Sequence, residues 1–184
     1  HQQTEVLASA VYGLAEWHED AIKTARFIAV PGCYPTATLL ALKPMTEAGF
    51  LDPNVRPIIN ATSGVSGAGR KPSMTTSYFE VSLQAYGVLG HRHTPEIEEY
   101  CGTSVIFTPH LGQFKRGILA TITMRLRSGV TATDIEQKFQ QHYANQPMIR
   151  LRDTWPKIDD VANTAFCDIH WKFDEDSGYL VISS

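Results

Sequence analysis

Cys33 is the residue of this 184-residue chain best placed for covalent chemistry. It lies in the stretch PGCYPTA at 31–37, between the apolar run 27–30 and a helical pattern. A thiol at the start of a helix faces free backbone N–H groups and the positive end of the helix dipole, which favours the nucleophilic thiolate. Those N–H groups can also hold a developing oxyanion. A free cysteine can equally be a small buried hydrophobe, which is the role we predict for Cys101 and Cys167.

A cysteine nucleophile needs a base, and the stretch GHRHTPE at 90–96 offers His91 and His93. Two residues apart on an extended segment, their side chains point the same way. A helix N-terminus disfavours the imidazolium, so His93 would stay neutral and able to accept a proton. Two alternatives stay open at this point. The pair could bind a metal together with His110, or it could be two surface histidines at a helix start.

The stretch SGVSGAGRK at 63–71 is a glycine-rich loop with hydroxyls and two cations. Exposed loop amides beside cations are suited to binding phosphate. The stretch matches neither the GxxxxGK[ST] loop of nucleotide triphosphatases nor the GxGxxG of dinucleotide-binding folds, and a plain flexible loop is the alternative. A thiol, a histidine and an anion-binding loop together indicate acyl transfer through a thioester, with an acyl phosphate as the substrate class.

Composition narrows the class of protein. The chain is 43% hydrophobic and 19% charged, as is usual for soluble globular domains. Its net charge of -3 leaves no broad basic field for nucleic acid or an anionic membrane. Three cysteines without CxxC spacing argue against a disulfide scaffold or a structural zinc site, and we predict no metal and a reducing, cytoplasmic location. No apolar run approaches the ~20 residues of a membrane span.

The elements that must position these residues follow from periodicity and punctuation. Before residue 70 the pattern predicts a short helix within 11–25, strands at 27–30 and 56–62, and a helix from Thr36 to about Ala48 that Pro44 kinks or ends early. Beyond it we predict a helix from N-cap Thr94 to Cys101, a strand at 104–108, a helix capped by Thr131 or Thr133, and a hairpin over 169–182.

Residues 118–127 alternate cleanly between apolar and polar side chains, which predicts a strand with one buried face and one wet or interfacial face. The lengths of the elements predict an α+β fold over 1–184. Its core is a mixed, largely antiparallel sheet with helices packed on one face.

At this point several stretches resemble a known family. IAVPGCYPTATLLALKP, NATSGVSGAGRK, GHRHTPEI, FTPHLG and RGILAT occur in the same order as the hallmark stretches of the N-acetyl-gamma-glutamyl-phosphate reductases, enzymes of arginine biosynthesis. The resemblance covers nearly the whole chain. It implies an NADPH-dependent reductase related to aspartate-semialdehyde dehydrogenase. It also implies a fold like the C-terminal domain of glyceraldehyde-3-phosphate and aspartate-semialdehyde dehydrogenases.

The resemblance also implies roles for single residues. The reaction would convert N-acetyl-L-glutamyl 5-phosphate to N-acetyl-L-glutamate 5-semialdehyde and phosphate, with Cys33 as the nucleophile and His93 as the general acid/base. The remaining positions would contact small molecules: His91, Glu96, Ser66, Gly67, Arg70 and Arg116 the substrate, and Gly32, Ser66 and Gly67 the cofactor.

Members of that family begin with a nucleotide-binding Rossmann domain and finish with a helix that packs on it, and neither is found in this sequence. We therefore expect a catalytic and dimerisation domain alone, forming a homodimer or homotetramer through the polar face of 118–127. We expect NADP(H) in the complete enzyme but no cofactor tightly bound to this chain, and little or no reductase activity from it. The alternatives are a sibling reductase for longer or carrier-bound acyl phosphates, a cofactor-free cysteine hydrolase, and an inactive dimerisation module.

Overall fold

The computed structural model describes residues 4–69, 71, 73, 74, 77 and 79–184. Arg70, a predicted anion contact, lies outside the described residues. The helices are α1 Thr4–Leu7, α2 Ala15–Thr24, α3 Cys33–Glu47, α4 Thr94–Cys101, α5 Ala132–Tyr143 and α6 Ile158–Val161, with a 3₁₀ turn at Val65–Ala68. The strands are β1 Val11–Tyr12, β2 Ile28–Ala29, β3 Ile58–Gly64, β4 Gln84–Ala85, β5 Ile106–Gly112, β6 Ile118–Arg125, β7 Ile149–Leu151, β8 Cys167–Asp174 and β9 Tyr179–Ser183.

Seven of these strands form one twisted sheet in the order β4-β5-β3-β6-β9-β8-β7. Within the described residues, four neighbouring pairs are antiparallel, whereas β3–β5 and β7–β8 are parallel. β1 and β2 form a separate two-stranded parallel sheet. The predicted α+β class with a mixed, largely antiparallel sheet is confirmed. None of the described helices combines the length and apolar character needed to cross a membrane.

Strand β6 shows why the helices gather on one face of the sheet. Ala120, Ile122 and Met124 are fully buried, while Thr121 and Thr123 between them are half-buried, as the alternation predicts. Helix α3 packs against β6 on the apolar side and also contacts α4 and α5. The side chains of these elements form one continuous hydrophobic core. Burial of this apolar surface is the main force that holds the helical layer on the sheet.

Helix α3 is longer than the sequence pattern suggested. It begins at Cys33 instead of Thr36 and runs through Pro44 to Glu47, close to the predicted end at about Ala48, so Pro44 does not end it early. Proline has no N–H, which leaves the carbonyl of Leu40, four residues earlier, without its helical donor. The phenol of Tyr143 in α5 donates a hydrogen bond to that carbonyl oxygen at 2.5 Å. A side chain from another helix therefore compensates for Pro44, and α3 continues without a break.

Other element boundaries shift by a few residues. Helix α4 has His93 as its N-cap, one residue before the predicted Thr94. Strand β5 extends beyond the predicted 104–108 to Gly112 because it pairs with β3 on one side and β4 on the other. Helix α5 is capped by Thr131, whose side chain and that of Asp134 form a reciprocal capping box. The predicted C-terminal hairpin is confirmed as β8 and β9.

Candidate active site

Cys33 is the first residue of α3, and Gly32 is its N-cap. The Thr36 N–H donates to the Gly32 carbonyl at 2.9 Å and closes the first helical turn. Cys33 is exposed, whereas Tyr34 and Pro35 directly after it are buried. The fold thus presents an accessible thiol at the positive end of a 15-residue helix, as the sequence predicted.

Two cavities meet at this thiol. One has a volume of about 540 Å³, and its wall includes Ser66 and Arg116. The other, of about 390 Å³, is lined on one side by His91 and His93. Both share Cys33, Ser63 and Gly67 as lining residues. A small acyl substrate and a second reactant can therefore approach the sulfur from different sides.

The wall of the larger cavity is built by two loops pinned together. The N–H groups of residues 64, 65 and 66 donate to the carbonyls of Gly117, Phe114 and Lys115 at 2.9–3.1 Å. A Cβ on Gly64 would lie 2.8 Å from the Phe114 carbonyl oxygen, so this approach requires glycine. The contact places Ser66 beside Arg116. The sequence predicts that the amides of the 63–71 loop are open to an anion, and for residues 64–66 this prediction is wrong because their N–H groups already have acceptors.

Gly32 permits the closest contact of the site. A Cβ on Gly32 would lie only 2.3 Å from Cε1 and 2.6 Å from Nδ1 of the His93 ring. The imidazole therefore rests directly on the backbone at the start of α3. This contact explains why a glycine precedes Cys33. From the sequence we predict a turn at Gly32, and the resemblance implies a contact with the cofactor.

Glu96 orients the His93 ring. Its Oε2 lies 2.9 Å from His93 Nδ1, and its Oε1 accepts the Gly32 N–H and the Tyr12 hydroxyl, each at 2.9 Å. A carboxylate only accepts hydrogen bonds, so Nδ1 carries the hydrogen and Nε2 of neutral His93 has the free lone pair. The imidazole is thus held in the tautomer that a general base at Nε2 needs.

His91 has the opposite tautomer. Its Nδ1 accepts the backbone N–H of His93 at 3.2 Å, so the hydrogen of its neutral ring is on Nε2. Burial, together with the nearby charges of His93 and Arg92, lowers the pKa of His91. The rings of Tyr34, Tyr86 and Phe107 surround it with centroids 5.5–5.7 Å away. His91 is therefore a neutral hydrogen-bond donor beside a histidine with a free acceptor.

His110 does not join these two histidines. It alternates along β5 with the buried Phe107, Pro109 and Leu111, so its side chain projects from the other face of the sheet. Phe107, on the core face, is the residue that contacts His91. Among the residues that the structure describes, no three His, Cys, Asp or Glu side chains converge on a possible metal site. The three-histidine arrangement considered from sequence is not assembled.

The other two thiols lie in different surroundings. Cys101 is buried, and this burial raises the pKa of its thiol. Burial also raises the pKa of the Cys167 thiol to about 11, and its Sγ lies 3.3 Å from the Ser184 hydroxyl. Neither shares the helix N-terminal position of Cys33, in agreement with the packing role predicted for both.

Sequence reasoning missed Tyr12 and the link between Glu96 and His93. The link had a visible signal, because His93 and Glu96 are the N-cap and N3 positions of α4, the spacing at which an N3 acid reaches back to the cap. The hydrogen bond from Tyr12 to Glu96 had no such signal, since 84 residues separate the two.

Residues 33–184 match the family described as semialdehyde dehydrogenase, dimerisation domain. The chain belongs to this family. The match begins at Cys33 and therefore includes Cys33, His93 and Glu96 of the site described above.

Curated relatives show which members of the family this chain is similar to. A protein of Alteromonas mediterranea named N-acetyl-gamma-glutamyl-phosphate reductase is 66% identical over 184 residues, which are 100% of this chain and 55% of that protein. A protein of the same name from Pseudoalteromonas atlantica is 60% identical over 100% of this chain and 54% of its own length. The resemblance noted from the motifs is confirmed, and the chain spans about half the length of these relatives.

Solved structures bear on the fold. Aspartate semialdehyde dehydrogenase II of Vibrio cholerae superposes with a TM-score of 0.71 at 16% identity, over 96% of this chain and 62% of that one. A probable aspartate-semialdehyde dehydrogenase of Pseudomonas aeruginosa gives 0.69 at 16% identity, over 95% and 62% of the two chains. The semialdehyde dehydrogenase fold predicted from the resemblance is confirmed.

The three cysteines should differ sharply in their reactivity with iodoacetamide. Only the thiolate reacts, and with a pKa of about 11 roughly one Cys167 thiol in a thousand is ionised at pH 8. We expect Cys33 to be alkylated at least about 100-fold faster than Cys167 at pH 8, and the Cys167 rate to rise about tenfold per pH unit up to about pH 11. Peptide mapping against time and pH measures both. Equal rates for Cys33 and Cys167 at pH 8 would contradict the active-site assignment.

Gly32→Ala should displace His93 from the start of α3. The added Cβ would overlap the imidazole, so we expect the ring resonances of His93 to shift in NMR spectra and Cys33 alkylation at pH 7 to slow by about tenfold or more. Gly90→Ala is the matched control, because its nearest contact would be a carbonyl oxygen 3.9 Å away. If both variants behave alike, the close contact at Gly32 has no bearing on reactivity.

Proposed function

We propose that this chain is the catalytic and dimerisation part of an acyl-phosphate reductase that converts N-acetyl-L-glutamyl 5-phosphate to N-acetyl-L-glutamate 5-semialdehyde and phosphate. The observation that carries the proposal is an exposed Cys33 at a helix N-terminus that shares a cavity with His93, a histidine oriented by Glu96. The names of the relatives support the choice of acyl group. A reducing, cytoplasmic location belongs to the proposal, since Cys33 must remain a free thiol.

In the first half-reaction the Cys33 sulfur attacks the acyl carbon and forms a C–S bond. His93 Nε2 takes the thiol proton as general base. The bond between the acyl carbon and the bridging oxygen breaks, and its electron pair leaves with phosphate, which receives the proton from His93. The product on the chain is a Cys33 thioester.

In the second half-reaction Cys33 would be the leaving group: addition of a hydride to the thioester carbonyl would be followed by cleavage of the C–S bond, which would release the aldehyde and the Cys33 thiolate. A reduced nicotinamide, when bound, supplies that hydride. The carbonyl oxygen carries negative charge in both halves. The N–H groups of Cys33 and Tyr34 at the first turn of α3 and the Nε2–H of His91 are the donors that would stabilise it, while the Gly32 N–H already bonds Glu96.

The larger cavity suits one end of the cofactor NADP(H). Its wall of Ser66, Gly67 and Arg116 is compact, because a Cβ on Gly67 would lie 2.5 Å from the Ser63 hydroxyl. Glycine at position 67 therefore lets the turn pack against Ser63 in the wall that both cavities share. The sequence has no GxGxxG stretch, and the relatives are nearly twice as long, so we assign most of the cofactor's binding surface to a Rossmann domain outside these 184 residues.

Within this chain, Arg116 and His91 would contact the substrate and Ser66 and Gly67 the substrate or the nicotinamide. Arg116 is exposed at the mouth of the larger cavity, a position suited to a carboxylate or phosphate group. Gly32 contributes by leaving room for the His93 ring.

The first half-reaction can be tested without nucleotide. Mixed with N-acetyl-L-glutamyl 5-phosphate, the chain should release one equivalent of phosphate above the spontaneous rate and carry the acyl group on Cys33, as shown by peptide mass spectrometry. Cys33→Ser should abolish both, and Cys101→Ser, a buried thiol in the same chain, should abolish neither. NADPH oxidation by the chain alone should be negligible.

Each alternative reading has its own outcome in this experiment. Continued phosphate release without nucleotide would indicate a hydrolase, and faster acylation by a longer or carrier-bound acyl phosphate would indicate the sibling reductase. NADPH oxidation at an ordinary enzymatic rate would contradict the assignment of the cofactor domain to another part of the protein. The absence of any acyl adduct would favour a dimerisation module.

We further propose that two copies associate through the outer sheet face, which is the face opposite the helices. It includes Ile58 and Tyr179, which are 39% and 37% exposed, and the half-buried Thr123, which pairs with Ile58 across β3 and β6. These three side chains are apolar or carry a hydroxyl, and such groups cost less desolvation free energy on burial than charged ones do. Arg125, which pairs with Tyr179 across β6 and β9, adds a charge to the same face. The description of the family as a dimerisation domain supports self-association. A homodimer is the smallest assembly that this surface provides, and a homotetramer needs a second one.

Thr123→Arg should convert the assembly to monomers, since it places a charge at the centre of the outer sheet face. Thr133→Arg, on the exposed side of α5, introduces the same charge away from that face and should leave the mass unchanged. Sedimentation velocity at micromolar concentration measures the effect. A native chain that sediments only as a monomer would contradict the proposal.

A further inference from the structure

The carboxylate of Glu96 joins three distant parts of the chain. Its Oε1 accepts the Tyr12 hydroxyl from β1 and the Gly32 N–H from the start of α3, and its Oε2 meets His93 Nδ1 at the start of α4. All three contacts measure 2.9 Å. Both oxygens are thus engaged by the protein itself, which differs from the substrate-binding role that the family resemblance implied for Glu96.

We propose that Tyr12 and Glu96 are positioning residues: the Tyr12 hydroxyl holds the Glu96 carboxylate so that it fixes the tautomer and orientation of His93. This inference rests on the proposed function only in taking His93 as the base for Cys33. Neither residue needs to touch the substrate.

Tyr12 is itself held firmly in place. It is 9% exposed, and its ring stacks on Tyr100 with centroids 3.4 Å apart and planes inclined by 9°. Tyr100 follows Glu96 by four residues, on the same face of α4. The stack therefore aligns the Tyr12 hydroxyl with the carboxylate one helical turn away. Burial and the neighbouring Glu96 raise the pKa of Tyr12, so the phenol stays protonated and remains a donor.

The small β1–β2 sheet positions the two groups that donate to Glu96 Oε1, the Tyr12 hydroxyl and the Gly32 N–H. Tyr12 pairs with Ala29, and the Gly13 N–H donates to the Ala29 carbonyl at 2.9 Å. The chain reaches Gly32 three residues after Ala29. A two-residue parallel pairing has little stability of its own, and here it brings the hydroxyl and the N–H to one carboxylate oxygen. The position of β1 is then part of the active-site architecture.

The decisive comparison is Tyr12→Phe against Tyr100→Phe in this chain. Tyr12→Phe keeps the stacked ring and removes only the hydroxyl that donates to Glu96. Tyr100→Phe removes the hydroxyl of the other ring in the stack. For Tyr12→Phe we expect Cys33 alkylation at pH 7 to slow by about 3- to 10-fold, the effect of one hydrogen bond. We also expect the ¹⁵N shifts of His93 to move from the Nδ1–H tautomer toward a mixture. For Tyr100→Phe we expect both to stay within about twofold of the native chain.

Glu96→Gln tests the same idea with Tyr12 in place, so the proposal does not depend on the folding of one variant. It should produce a larger loss of Cys33 reactivity and a larger change in the His93 ¹⁵N shifts than Tyr12→Phe. Unchanged ¹⁵N shifts in Tyr12→Phe and Glu96→Gln, or equal effects of Tyr12→Phe and Tyr100→Phe, would overturn the proposal. Alkylation and NMR need no acyl phosphate, so failure of the proposed reaction would appear separately, as a missing Cys33 adduct in a native chain with normal His93 shifts.

Discussion

The site depends on the close approach of the His93 ring to the backbone of Gly32. An imidazole can lie against the first turn of α3 only because position 32 has no Cβ. The contact joins the starts of two helices whose positive ends both face the thiol region. Glu96 then places a negative charge between them and accepts a hydrogen bond from Gly32. Steric fit and charge compensation thus act on the same few atoms, and the cysteine, the histidine and the acid are fixed together.

The rest of the fold fixes the first turns of α3 and α4 relative to each other. Helix α3 must be straight and firmly packed for Cys33 to stay at the junction of the two cavities, and Pro44 works against this by removing a helical donor. The hydrogen bond from Tyr143 to Leu40 restores that carbonyl's partner from the neighbouring helix. Beneath α3, the apolar side chains Ala120, Ile122 and Met124 of β6 form a fully buried support. The packing of α3 on β6, α4 and α5 thus also fixes the position of its first residue, Cys33.

Much of this could be predicted from sequence. Alternation along β6, the C-terminal hairpin and the position of Cys33 at a strand-to-helix junction all come from local patterns, and each is found in the structure. The parallel neighbours of β5 and β8 were not anticipated, because parallel partners lie far apart in the chain and leave no hairpin signal. The sequence could not show how α3 continues through Pro44 for a related reason, since the compensating hydrogen bond comes from a residue about 100 positions away.

The sequence by itself determined the chemical components: a thiol before a helix, two histidines two residues apart, and a glycine-rich loop near cations. Residue types and spacing within one helix, strand or loop can be taken from the sequence alone, because they do not depend on contacts with other segments. The tertiary structure decided how these components act. Whether Glu96 faces substrate or His93, which nitrogen of each histidine carries the proton, and whether the loop amides are free all depend on partners from other segments. Hydrogen bonds between residues such as Tyr12 and Glu96, 84 positions apart, exist only once packing has paid the entropy of bringing those segments together.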